Sequence, residues 1–488
     1  MKITFHGAAR TVTGSKHLIT LNTGKKYLLD CGMFQGMGHQ TDALNRNWGF
    51  DPASVDFLIL SHAHIDHSGL IPKLVKDGFN GTIFCTPATL ELTHILLEDS
   101  AEIQQSEKRN SNKNQSSDNS QVCEPLYLTE DVKSAMALFK AVEYDTWITL
   151  DEQVELLFTE AGHLIGSAAV HLKIDEYGEL KTFTFSGDVG RYRNVILKAP
   201  REFPQADYIL LESTYGDSLH DLSSGTPDKL LQHIRDTCLQ KKGKLIIPAF
   251  SVGRTQELLF ALNQLELENR LPELNYFVDS PLSIKATEVV KRFPAYFKDS
   301  VQKIMETDSD PFAFKGLKYI RAVEESQLLT EYEEPCVIIA ASGMADAGRI
   351  RHHIRSAVED ISNTILLVGH CNPESLGGQL MAGAEGVYIM GDSYKVRAHI
   401  AVIKSLSAHG DYNDLLQFLS CQEPEKVKKI FLVHGEYNVQ QHLKERLLAK
   451  GFPEVHIPDM NVENLLESDV VSIEPDLNSI TGEQIQSA

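Results

Sequence analysis

Residues 58–72 read LILSHAHIDHSGLIP. The apolar run 58–60 has strand character, and directly behind it come His62, His64, Asp66 and His67. Alternate side chains of an extended segment share a face, so His62 and His64 can converge on one ion. The turn into the following helix can aim Asp66 and His67 at a second ion beside the first. The spacing thus supplies two half-sites and favours metal binding over a chance cluster of histidines in a surface loop. Further donors are available where later apolar runs end: His163 in EAGHLIGS, Asp188 in FSGDVGR and His434 in FLVHGE. Imidazole with carboxylate is the donor set of hydrolytic zinc sites, and the ends of strands are where a rigid sheet displays functional groups.

Working outward, short strand-like runs fill the first two hundred residues, among them KITFHG, KYLLDCG, VELLFTEAG and DYILLEST, with a few helices such as PATLELTHILLEDSAEIQQSE. From about residue 215 the texture changes to helix–strand–helix units, the pattern of a separate α/β layer. Strand signals return after about residue 398 in HIAVIKSLSAHG, KKIFLVHGE and PEVHIPDM. The segment 108–121, KRNSNKNQSSDNSQ, is polar and nearly free of apolar residues, and reads as an exposed loop without a catalytic role. With 488 residues, 42% apolar and 23% charged, the chain has the composition of a globular enzyme of several domains. No run approaches the roughly 18 apolar residues of a membrane helix. The start, MKITFHGAARTVTGS, lacks the basic and apolar regions of a signal peptide, which predicts a cytoplasmic protein. Seven scattered cysteines without a C-x-x-C pair predict reduced, structural thiols. The balance of 46 Lys+Arg against 67 Asp+Glu, net −21, argues against a general polyanion-binding surface.

The ordered series LLDCG, SHAHIDHSG, EAGHLIGS and FSGDVG resembles the successive motifs of the metallo-β-lactamase superfamily. The resemblance implies two Zn²⁺ ions per chain, one held by His62, His64 and His163, the other by Asp66, His67 and His434, with Asp188 bridging. Asp30 in LLDCG would be the carboxylate that orients the metal loop from behind. The interval between Asp188 and His434 is far longer than the sandwich needs, so a domain is inserted there. LLESTYGD, IIPAFSVGRTQELL, VDSPLS, AASGMADAGRIRHH, LSAHGDY and LVHGE resemble the β-CASP branch, whose members process nucleic acids. The implied fold is an αββα sandwich interrupted by a β-CASP α/β domain. The expected boundaries are 1–214 for the first part of the sandwich, 215–397 for the insert, and 398–488 for the completing part and tail. Glu212, His409 and His434 match that branch's acidic and two histidine motifs. Histidine rather than valine at position 434 points to RNA rather than DNA, and HAHIDH is closer to cleavage-and-polyadenylation-type endonucleases than to the HGHEDH form of the ribonuclease J group. No KH-type domain precedes the first strand.

The expected activity is hydrolysis of single-stranded RNA by a hydroxide bridging the two zinc ions, endonucleolytic and compatible with 5′-to-3′ exonucleolytic action. Asp66 belongs to that catalytic centre, and His409, oriented by Glu212, is the candidate general acid. By resemblance the products carry a 5′-phosphate and a 3′-hydroxyl. Ser251 and Arg254 in PAFSVGRTQELL, and Ser342 and Gly343 in ASGMADAGR, sit at strand-to-helix turns whose amides suit an RNA phosphate; ordinary capping turns are the alternative. Lys395 and Arg397 offer further cations, whereas His352, His353 and His370 read as structural. A thioester or lactone hydrolase, a DNA-acting nuclease and an inactive scaffold subunit are the competing functions. A homodimer through the C-terminal region stays open, and no membrane partner is expected.

Overall fold

The computed structural model describes residues 1–114, 124–220, 225–369, 371–403 and 407–466, for 110–114 in backbone alone. Two seven-stranded sheets pack face to face. One has the strand order Glu463–Leu465, Lys2–Phe5, His17–Thr20, Lys26–Leu29, Phe57–Ile59, Thr82–Cys85 and Phe139–Ala141. The other runs Val455–His456, Lys429–Val433, Tyr208–Glu212, Glu179–Phe185, Ala168–Glu176, Val154–Glu160 and Ile148–Thr149. Phe5, Ile19, Tyr27, Leu29 and Ile59 of the first meet Phe158, Val170, Phe183, Phe185 and Phe431 of the second in a common core.

Successive side chains of a strand point to opposite faces. Leu28, Leu58 and Ile83 therefore face away from that core, and they pack against Leu74, Leu97 and Val132 of the helices Ile71–Lys76, Pro87–Asn114 and Thr129–Met136. On the far side Ile209, Leu211, Ile430 and Leu432 meet Leu415, Phe418, Leu443 and Leu447 of Tyr412–Phe418 and Tyr437–Ala449. Both faces of each sheet are covered, which is why these strands read as continuous apolar runs. The result is the αββα sandwich that the sequence predicts.

A third sheet is entirely parallel, in the order Leu317–Tyr319, Asn275–Val278, Cys336–Ala340, Leu245–Pro248, Thr364–Val368 and His399–Ile403. Its inner strands LIIP, CVIIA and TILLV are buried throughout. The chain leaves the sandwich after Tyr208–Glu212 and re-enters at Lys429–Val433, and these two strands are parallel neighbours with Glu212 opposite Val433. The insertion therefore opens no gap in the sandwich sheet. One apolar cluster joins Ala63, Leu164 and Ile165 of the sandwich loops to Ala249, Val252 and Leu258 of the insert, so the two units meet at the histidine-bearing loops.

Two details differ from the sequence reading. His399–Ile403 pairs in parallel with Thr364–Val368, so this strand, expected to begin the completing part at 398, belongs to the inserted sheet. Its apolar character fits either sheet, and only the neighbour decides. Residues 108–114, expected as loop, continue the helix Pro87–Asn114; they contain no Gly or Pro to stop it. The rest of the polar segment lies outside the described residues. Among the described residues no helix is long and apolar enough to cross a membrane.

His171 ties three strands together. Its Nε2 is 2.8 Å from Thr159 Oγ1, its Nδ1 3.0 Å from Thr184 Oγ1, and its ring stacks on Phe203 at 5.1 Å. Burial pushes its pKa down to about 3. The neutral ring is the form the fold favours, so its contribution is full above the unfolded value of about 6.5 and is lost as pH falls from there towards 3. Thermal melting followed from pH 7 to pH 4 should fall less steeply for His171→Gln than for the wild type; equal slopes would contradict this role.

Candidate metal centre

The strand Phe57–Ile59 delivers its chain to Ser61 and His62, and Asp30 anchors this exit from the neighbouring strand Lys26–Leu29. Asp30 Oδ1 accepts from the Ser61 amide at 2.8 Å, and its Oδ2 from Ser61 Oγ at 2.9 Å and Ser15 Oγ at 3.3 Å. The same oxygen lies 2.6 Å from His67 Nδ1. A proton held at Nδ1 would leave the Nε2 lone pair to a bound cation, the usual way a carboxylate orients a ligating imidazole; without a cation, burial opposes protonation of His67, but the carboxylates of Asp188, Asp66 and Asp30 outweigh it and raise its pKa well above the ordinary value. The backbone is drawn equally close: a Cβ on Gly32 would sit 1.6 Å from the Asp66 carbonyl oxygen, so only glycine fits there. The Ser15 amide donates to the same carbonyl, and the Cys31 amide to that of His67.

The other donors arrive from the second sheet. His163 follows Val154–Glu160, and its amide donates to Ser167 Oγ at 3.1 Å. Asp188 follows Glu179–Phe185. His434 follows Lys429–Val433 at φ 50°, with its amide donating to Ala8 O and its Nδ1 3.0 Å from Thr214 Oγ1.

These side chains form two adjacent cages. In the first, His62 Nε2 lies 3.1 Å from His64 Nδ1 and 3.4 Å from Asp188 Oδ2. His163 Nε2 lies 3.2 Å from His64 Nδ1 and 3.5 Å from Asp188 Oδ2. In the second, His67 Nε2 is 3.3 Å from both His434 Nε2 and Asp188 Oδ1, and His434 Nε2 is 3.3 Å from Asp66 Oδ2. A tetrahedral ion with donors at about 2.0–2.1 Å requires donor–donor edges of roughly 3.3–3.4 Å. The side chains therefore fit a tetrahedral dication in each cage, with one oxygen of Asp188 facing each. Asp188 Oδ1 is buried and has no hydrogen-bond donor, an orphaned acceptor that a cation would satisfy. Burial, reinforced by the charge of His67, pushes His62 down to about 3, and burial also holds His163 well below its ordinary value, so their lone pairs stay available. Burial opposes ionisation of Asp188, but the surrounding histidines outweigh it and hold the carboxyl well below its usual range.

Glu212 and His409 stand beside the cages. Glu212 Oε1 accepts from the Val189 amide at 2.8 Å, next to Asp188, and is 3.1 Å from His409 Nδ1; Oε2 accepts from the Thr214 amide. His409 Nε2 is 3.9 Å from Asp188 Oδ2. Burial works against the protonated form of His409, but the carboxylates of Glu212 and Asp188 outweigh it and raise its pKa to about 9. Glu212 is fully engaged, which separates it from the donors whose lone pairs point into the cages. The group Asp188, Glu212, His409 and His434 could also hold an ion on distance alone.

Ser251, Arg254, Ser342 and Gly343 lie outside these cages, on turns leaving the paired strands Leu245–Pro248 and Cys336–Ala340. Ser251 and Ser342 are half-buried. Arg254 is only 7% exposed and its guanidinium is ion-paired with Glu257, which makes it a support of the turn rather than a free arm. Gly343 is buried beneath Phe250. Lys395 and Arg397 are exposed. His352 is exposed, and His353 Nε2 is 2.6 Å from the buried Asp279; His370 lies outside the described residues. Sequence reading missed Thr214 and Ser61, which orient His434 and Asp30; their place beside strand-end site residues was the available signal.

Family comparison agrees with this layout. The metallo-beta-lactamase superfamily profile matches residues 13–247, the Beta-Casp domain 255–380, and the Zn-dependent metallo-hydrolase RNA specificity domain 393–458. The chain is 36% identical over 452 residues to "Ribonuclease TTHA0252" of Thermus thermophilus, covering 92% of this chain and 95% of the relative. It is 28% identical over 438 residues to an "RNase J-like protein" of Methanocaldococcus jannaschii, covering 88% and 92%. "Transcription termination factor FttA" of Cenarchaeum symbiosum is 26% identical, and there the chain spans 65% of the relative's length.

Asp30→Ala should retain the fold but bind added Zn²⁺ about 10- to 100-fold more weakly, measured by chelator competition and elemental analysis. Unchanged retention would remove Asp30 from the support of the cages.

Proposed function

We propose that this chain, which belongs to the β-CASP ribonuclease family of the metallo-β-lactamase superfamily, hydrolyses phosphodiester bonds of single-stranded RNA with two bound Zn²⁺ ions. The observation that carries this reading is the pair of donor cages sharing Asp188, with the Glu212–His409 pair directly alongside. His62, His64 and His163 would hold one ion, Asp66, His67 and His434 the other, and Asp188 both. When bound, such ions supply Lewis acidity towards a phosphate and lower the pKa of water.

The chain's own residues do the rest. Glu212 accepts from His409 Nδ1, which leaves the Nε2 proton on the side of the cages, 3.9 Å from Asp188 Oδ2, where His409 donates it to the departing ribose oxygen. By the family's chemistry this leaves a 5′-phosphate and a 3′-hydroxyl. Glu212 also holds the Val189 amide, so one carboxylate positions both the acid and the Asp188 loop. Ser251 and Ser342 offer hydroxyls and turn amides to the RNA backbone, with Arg254 locking its turn through Glu257. Support for RNA comes from relatives named as ribonucleases and from the RNA specificity domain matched over His409 and His434. The termination role of the longer relatives is not carried over.

With end-labelled single-stranded RNA, the zinc-loaded wild type should cleave and Asp66→Ala should not. His409→Ala should keep its zinc yet lose about 10²- to 10⁴-fold in kcat. A wild type that leaves RNA intact while hydrolysing thioesters or lactones would overturn the ribonuclease reading, and a metal-free His409→Ala would move His409 into the donor set.

A further inference from the structure

The chain has 21 phenylalanines, and Phe250, at 41%, is the only one among them that is exposed. It stands at the head of the turn 249–254, on the C-terminal side of a parallel sheet, where open α/β sheets place ligands. The ring is held on one side: a Cβ on Gly343 would lie 2.6 Å from Phe250 Cδ2 and 2.7 Å from Cε2. The backbone beneath is equally fixed. The Phe250 carbonyl accepts from the Thr255 amide at 3.2 Å and from Thr255 Oγ1 at 2.8 Å, and the Ala249 amide donates to Ala340 O at 3.0 Å. A partly exposed aromatic ring backed by Gly343, with half-buried Ser251 and Ser342 on the same two turns, presents an apolar face beside polar groups.

The ring is also in fixed relation to the cages. Ala249 and Val252 on either side of it share one apolar cluster with Ala63, between His62 and His64, and with Leu164, next to His163. A Cβ on Gly253 would lie 3.5 Å from Leu164 Cδ1. The turn that carries Phe250 is therefore packed against the loops that carry the cage histidines.

We propose that the Phe250 ring is a stacking platform for a nucleobase of the single-stranded substrate, beside the backbone that the two serine-bearing turns receive. The proposal rests on the ribonuclease reading and extends it. Every base has a π face, so such a contact secures single strands with little sequence preference and discriminates against duplex, whose bases are already stacked. Gly343 follows from the same arrangement: any side chain there would displace the ring.

Steady-state kinetics on an oligoribonucleotide, combined with rapid-mixing fluorescence of the same oligonucleotide carrying 2-aminopurine, test this on the zinc-loaded protein. Phe250→Leu keeps an apolar group on Gly343 but removes the π face. It should lower kcat/KM about 5- to 150-fold, with the loss residing in KM, and should abolish the quenching seen with the wild type. Phe250→Trp should restore both readouts. Phe250→Met serves if the leucine variant does not fold, judged by zinc content and melting. Leucine and tryptophan variants that are equally impaired, or a leucine variant that quenches like the wild type, would overturn the platform. A wild type that cleaves no RNA defeats the ribonuclease reading instead; the platform is then decided by quenching alone, sustained if Phe250→Leu abolishes it and rejected if the wild type shows none.

Discussion

Lone pairs that converge without a proton between them repel, and a buried carboxylate without a donor is expensive to keep. This protein concentrates both around Asp188, whose two oxygens face separate sets of histidines at 3.3–3.5 Å and whose Oδ1 has no hydrogen-bond donor. A cation in each set would offset that cost, and the surrounding structure holds the arrangement open. Asp30 fixes the imidazole of His67, Thr214 that of His434, and Glu212 the loop bearing Asp188. Asp30 and Glu212 are buried at strand ends and half-buried Thr214 follows one closely, so the cages inherit the rigidity of the two sheets.

The insert completes this centre without disturbing it. Tyr208–Glu212 and Lys429–Val433 are parallel hydrogen-bonded neighbours, so the insert leaves the sheet unbroken. Glu212 ends the first of these strands and His434 follows the second, so both side chains lie at the same end of the sheet, beside the cages. His409, on the way back, forms a bridge with Gly190 and meets Glu212. His409 and the donor cages are thus brought together by the same crossing that attaches the second unit.

A net charge of −21 would repel a polyanion over most of the surface. Two dications in the cages would reverse the field locally, and the turns on the inserted sheet provide neutral hydroxyls and amides rather than a basic patch. Under the proposed function, binding confined to the cages and these turns, with stacking supplementing a modest electrostatic attraction, would suit so acidic a protein.

Much of the centre was legible along the chain. The H-x-H-x-D-H spacing marks candidate donors because local geometry limits where neighbouring side chains can point, while His163, Asp188 and His434 at the ends of apolar runs joined them as candidates through the resemblance. The change of texture near residue 215 made a second α/β unit legible, whereas the sandwich and its interruption were implied by the resemblance of the motifs and the long interval between Asp188 and His434. The parentage of His399–Ile403 was not, since an apolar strand carries no mark of which sheet will pair with it. The continuation of the helix to Asn114 was hidden because helix and loop tolerate the same polar residues. Arg254 looked like a cation offered to phosphate until Glu257 was found against it. Phe250 was one of many phenylalanines, and exposure is a property of the packed chain. The sequence by itself determined the chemistry, namely which donors exist and in what order, because that depends on residue type and local spacing. The tertiary structure alone decided which lone pairs are held by a neighbour and which stay free, because those partners lie on strands brought together only by sheet pairing.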